Sequence, residues 1–143
     1  MSVRLLTIML STVLTGSLAS ATTPESLQSD LRADFPDLGL THAADGRLER
    51  IWGQPFSSGQ SAKESATRFL QTYAGVWGVA PDELAAVGRY SNGRHLQPIM
   101  PRRDADGRMN GYKFTGVSFT QRLQDYPVWR TSLCLLVRNS DQH

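Results

Sequence analysis

The chain has 143 residues, with 15 Lys or Arg against 13 Asp or Glu, a net charge of +2 and a single cysteine. That length suits one domain with a modest core. The near-balanced charge makes no general case for nucleic acid or an anionic membrane, and one cysteine excludes an internal disulfide framework.

The first 21 residues read apart from the rest. Arg4 supplies a positive start, Leu5 to Leu14 is apolar, and Ala19-Ser20-Ala21 has the small-x-small pattern of a cleavage site. This is the pattern of a secretory signal peptide over residues 1–21, too short and wrongly flanked for a membrane span; an uncleaved anchor is the rival reading. Cleavage leaves residues 22–143 with 14 basic and 13 acidic side chains, outside the cytoplasm (secreted or periplasmic/extracellular) and with no membrane attachment. The fold must then be held by its core.

Residues 22–37 read as a leader. TTPESLQSD at 22–30 is polar and expected to be loose, and Pro36 blocks a long helix beyond it. Asp45-Gly46 between apolar-bearing segments predicts a first hairpin, roughly 38–43 and 47–53, closed by Gly53. A Pro/Ser/Gly connector follows. Ser61-Ala62-Lys63-Glu64 is a capping box, and Ala62, Ala66, Phe69, Leu70, Tyr73, Val76 and Trp77 form one apolar stripe. A helix over 62–77 follows, stopped by Gly78.

Pro81 to Leu84 predicts one more helical turn, then a strand at Ala86–Tyr90 turned by Ser91-Asn92-Gly93. The section 94–111, with Pro98 and Pro101, fixes no element. Arg102-Arg103 reads as a solvated turn edge, with a processing site as the sharper alternative. Tyr112 and Phe114 start a strand on even positions, and the apolar set moves to odd positions from Val117. That phase change predicts a bulge or break at Thr115-Gly116. Val117 to Val137 then reads as two strands reversed at Gln124-Asp125. Val117, Phe119, Gln121 and Leu123 share one face of the first. Leu133, Leu135 and Val137 share a face of the second, opposite Cys134 and Leu136. The fold class is α+β: an antiparallel sheet of hairpins with one main amphipathic helix packed on one face.

No constellation for chemistry emerges. His42, His95 and His143 are scattered, without H-E-x-x-H, so surface histidines are favoured over a zinc site. Asp104-x-Asp106-Gly107-x-x-Asn110 lacks the further acids of a calcium loop and reads as a polar turn. There is no nucleophile elbow and no phosphate-binding Gly loop. Cys134 reads as a small apolar strand residue rather than a nucleophile. Trp52, Trp77 and Trp129 are candidate stacking platforms, with Trp77 assigned to the core by its place on the helix stripe. The sequence is therefore expected to hold no catalytic, cofactor-binding or metal-binding residues.

One ordered run carries a family likeness. Phe119, Gln121, Tyr126, Pro127, Val128, Trp129, Leu133, Leu135 and Val137 follow F-x-Q-x-x-x-x-Y-P-V-W-x-x-x-L-x-L-x-V. This resembles the hairpin of the fungalysin/thermolysin propeptide domain, the pro-region of secreted zinc metalloproteases. Asp125 stands where that family usually has Gly. Ile51-Trp52-Gly53, Phe69-Leu70, Trp77-Gly78 and Leu84 come in the order found in such propeptides, so the likeness spans roughly 38–138. It implies a non-catalytic domain, here 38–143 and open to continuation past His143. That domain chaperones and inhibits a metalloprotease catalytic domain, in cis or in trans. The alternative is a stand-alone extracellular binding or structural module. Strand parity and position select Trp129, Arg130, Cys134 and Leu136 for partner contact. At 133–137 both faces are apolar, so the strand is either covered on both sides or has one face for a separate body.

Overall fold

A computed structural model of the chain describes residues 23–87 and 95–140. The signal segment expected at 1–21 and the turn expected at 91–93 lie outside the described residues. The element order is α1 (Pro24–Asp34), β1 (Gly39–His42), β2 (Leu48–Trp52), α2 (Ala62–Tyr73), β3 (Leu84–Ala86), β4 (Leu96–Arg103), β5 (Met109–Leu123), β6 (Tyr126–Pro127) and β7 (Leu133–Arg138). Short 3₁₀ turns follow α2 at Ala74–Trp77 and precede β3 at Pro81–Glu83. The α+β class holds, with β1 and β2 forming a separate two-stranded sheet.

β5 is the hub. Its 15 residues pair antiparallel with β4 and β3 along one edge and with β7 and β6 along the other. Its odd positions meet the helix: Val117 and Phe119 are buried with Val137 of β7, and with Ala66, Phe69 and Leu70 of α2. Burying a Phe or Leu side chain contributes about 1.5–3 kcal/mol, so this contact is a main source of stability.

α2 starts at Ser61, whose hydroxyl accepts from the Glu64 N–H at 3.2 Å. The return half of the box differs from expectation. The Glu64 carboxylate accepts from Gln60 N–H at 2.9 Å, one residue before the cap. The stripe continues to Trp77, but the last turn tightens to 3₁₀, and Gly78 ends it in the left-handed region at φ 71°.

Three expectations are corrected. Residues 24–34 are not a loose leader. Thr23 caps the helix, Pro24 takes the first helical position, and Leu31 is fully buried. A Cβ on Gly75 would lie 2.5 Å from Leu27 Cδ1, so the bare glycine lets α1 seat against the 3₁₀ turn. Phe35 joins the rings of Phe56 and Tyr73 at 5.2 and 5.8 Å, linking α1 to the connector and to α2. Second, β5 has no bulge at Gly116; its register with β4 and β7 is continuous there. Gly116 instead makes room on the even face, where a Cβ would lie 2.8 Å from Ile99 Cδ1. The apolar phase changes because both faces of this strand are used. Third, β3 comes earlier than predicted, at Leu84–Ala86, with residues 88–90 outside the described residues.

The section 94–111 holds a long hairpin arm. β4 pairs with β5 from Leu96↔Val117 to Arg103↔Met109, with a register shift after Pro101. Gly46 and Gly107 turn the two arms of the fold in the same way, at φ 85° and 77°, each in an Ala-Asp-Gly-Arg run. Arg102 and Arg103 brace the second arm by donating to the carbonyls of Asn110 and Gly107.

If α1 belongs to the core, Leu31→Ala costs about 2–5 kcal/mol in urea denaturation, whereas a loose leader predicts no change. Tyr73 gives a second check. Its hydroxyl donates to Asp34 Oδ2 at 2.7 Å, and burial together with that carboxylate pushes its pKa up to about 12 from the ordinary 10. The folded value lies above the unfolded one. The contribution is therefore complete below pH 10 and falls away as pH rises from 10 to 12. Stability measured across that range should decline in the native chain, and the decline should be smaller in Tyr73→Phe.

Candidate functional site

Gln124 and Asp125, at φ 49° and 69°, reverse β5 into β6. Both central residues are left-handed, the requirement of a type I′ turn. Asp125 therefore takes a positive φ at the second central position, and Asp is among the residues that tolerate it.

β6 then stops after two residues. Arg122 pairs with Pro127, but the next rung on this edge is Phe119 with Leu133. The chain between, 128–132, leaves the ladder as a bulged turn. Thr131 ties it down. Its hydroxyl accepts from Gln121 N–H at 3.2 Å and donates to Val128 O at 2.9 Å, while the Thr120 hydroxyl donates to Thr131 O at 2.7 Å. Val128 N–H returns to Gln121 O at 2.9 Å. Arg130 sits at the crest with φ 60°, a conformation that costs a non-glycine residue on the order of 1–3 kcal/mol.

This turn displays Trp129 at 85% exposure, next to Tyr126 at 77% and Leu123 at 58%. A Trp left this bare is unusual for a monomer's surface, where apolar residues of this size bury most of their area. Trp52 is different. It is also exposed, but its ring lies over Gly39 of the paired strand, where a Cβ would collide with it. Trp77 packs on Phe69 with ring centroids 6.2 Å apart. Trp129 is the one tryptophan without a ring or strand partner among the described residues.

The four residues selected for partner contact are all exposed, but they divide between two surfaces. Trp129 and Arg130 stand on the bulged turn. Cys134 and Leu136 lie on the face of β7 away from α2, with Leu136 58% exposed. Of the two readings of β7, the structure leaves that face open rather than covered. A small pocket under it is lined by Val87, Ser118, Thr120 and Cys134. Arg130 turns to the other side, into a larger groove of about 1010 Å³ between the β1–β2 sheet and the start of β7.

Sequence reasoning missed that groove, because its walls come from segments some eighty residues apart. Its apolar lining includes Val76, Trp77, Val79 and Leu84. Two of its lining residues are tied together: Gln28 Nε2 donates to Val76 O at 3.3 Å, and Gln28 Oε1 lies 3.1 Å from His42 Nε2. Also in the lining, Arg47 pairs with Asp45 at 2.7 Å and holds that carboxylate below the usual range.

The other histidine among the described residues, His95, is not the simple surface residue expected. Its Nε2 is buried and has no hydrogen-bond partner among the described residues. The Asp104 carboxylate accepts from the N–H groups of Asp106 and Arg108, which makes it the staple of a turn. No group of three or more metal-ligating side chains occurs among the described residues. No helix among them is long and apolar enough to cross a membrane. No family model, curated protein or solved structure matches the chain.

The Thr131 anchor is testable apart from function. Thr131→Val leaves the Gln121 N–H without its acceptor and should cost about 1–3 kcal/mol in urea denaturation. Arg130→Gly relieves the left-handed strain at a similar entropic cost and should stay within about 1 kcal/mol of the native chain. Equal losses in both variants would contradict the anchored turn.

Proposed function

We propose that this is a non-catalytic, propeptide-like module that chaperones and inhibits a secreted thermolysin- or fungalysin-like metalloprotease. The observation that carries the reading is Trp129, a large aromatic raised on an anchored turn within the same run that resembles the propeptide hairpin. Trp, Tyr and Arg are the residues on which the energy of protein interfaces most depends. Trp129 and Arg130 are residues of these kinds on one turn, and Cys134 and Leu136 on the open face of β7 offer a second surface. The hairpin, helix and antiparallel strands come in the order that the resemblance implies. A module that binds the folded enzyme stabilises it by mass action and blocks it while bound.

The stand-alone binding module is the second reading. It uses the same exposed surface with another extracellular partner, and it predicts no effect on proteolysis.

The experiment is inhibition in trans. The chain should slow peptide hydrolysis by a purified thermolysin-like protease. Trp129→Ala should weaken inhibition at least about tenfold, the loss of an interface anchor worth more than 1 kcal/mol. Unchanged proteolysis at about 100 μM chain, on the order of the weakest useful inhibitor affinities, would contradict the reading.

A further inference from the structure

We propose that β7 pairs edge to edge with β7 of a second copy of this chain, antiparallel across a twofold axis, and so joins two sheets into one. Hydrogen-bond parity leaves that edge open. Asn139 N–H donates to Lys113 O, which sets the odd residues of β7 toward β5. Ser118, opposite Cys134, bonds instead to His95 and Val87 on the other edge of β5. The N–H and C=O of Cys134 and Leu136 therefore point away from β5. Among the described residues β7 pairs with β5 alone. No proline, register shift or charge interrupts it from Leu133 to Val137. Such an edge is a template for another strand.

Self-complementarity selects the occupant. Where two antiparallel edges bond, outward-facing residues stand opposite one another. A twofold axis through Leu135 achieves this, because it sets Cys134 of each copy against Leu136 of the other. Each such pair can exchange both main-chain bonds. The same register lays the uncharged run 133–137 on itself and sets Arg138 opposite Ser132, clear of its own copy. An axis through Leu136 would set Arg138 against Cys134. An axis through Cys134 would set Leu136 against Ser132. Only the axis through Leu135 keeps all five apolar residues opposite apolar residues. Opposed residues share a face, so Leu136, 58% exposed, gains the exposed Cys134 of the other copy as a neighbour.

The assembly closes at two copies. A twofold contact uses each β7 edge once. Growth past a dimer would need the opposite edge of the sheet, and β4 is unsuited to that. His95 O accepts from Ser118 N–H, so the odd residues at the start of β4 face β5 and Pro98 faces outward without a donor. Met100 then takes φ 58°, and the register shifts after Pro101.

The test is sedimentation of the full chain from about 1 μM to about 1 mM, a span that covers weak and moderate affinities. The mass should rise from one chain to two and stop there. Amide exchange at the two ends of that range should show added protection at Cys134 and Leu136 in the dimer. Leu135 and Val137 should not change, because β5 already holds them. Leu136→Pro removes an outward donor from each copy without touching the bonds to β5. It should weaken the dimer about tenfold or more, as two lost main-chain bonds imply. Should that variant unfold, the exchange pattern still decides the matter. A single-chain mass at the highest concentration would leave the edge to another protein's strand and overturn the proposal. So would growth past two chains, or a dimer in which the Cys134 and Leu136 amides stay unprotected, the mark of stacked open faces. Proteolysis enters none of these readouts, so the dimer and the protease reading fail separately.

Discussion

Everything in the fold depends on the sharing of β5. One strand of 15 residues serves four partners along two edges, and its odd face carries the contact with α2. Val117 lies at that crossing, fully buried and paired with both Leu96 and Leu135. An antiparallel sheet built on one long strand needs no crossover connections, and most of its strand contacts are between near neighbours in sequence. The exception is β3 with β5, since β4 lies between them in the chain.

The same economy leaves edges. β7 is short and apolar, and carries no proline and no bulge to blunt pairing. β4 shows the contrary treatment: Pro98 and Pro101 lie in it, Met100 takes φ 58°, and the register shifts. Both are outer strands of one sheet, yet only β4 bears the devices that discourage another chain. The contrast gives the β7 side its interest. There the anchored turn raises Trp129 and the open face exposes Leu136. Whatever binds the chain meets main chain and aromatic surface within one region.

Much of this was legible in the residues. The capping box and apolar stripe of α2 are local signals, and local signals survive without tertiary information. The Asp-Gly turn of the first hairpin is another. Strand parity separated Leu135 and Val137 from Cys134 and Leu136 correctly, because alternation is enforced by the pleat. α1 escaped notice because only Leu27, Leu31 and Phe35 mark its buried side; its stability comes from seating on Gly75 and the aromatic cluster. β4 was hidden by its two prolines, which argue against a central strand but not against an edge. The groove had no sequence signal, since residues 45–50 and 130–133 lie far apart in the chain.

The measurement that tests the account most directly is amide exchange along β7 in the monomeric chain, read residue by residue by NMR. If β7 is an unpaired edge, Leu135 and Val137 should be strongly protected, and Cys134 and Leu136 should exchange faster by at least about tenfold, the spread between bonded and open amides within one cooperative unit. Equal protection at all four positions would mean that something already pairs with that edge, and the binding surface described for this molecule would not exist.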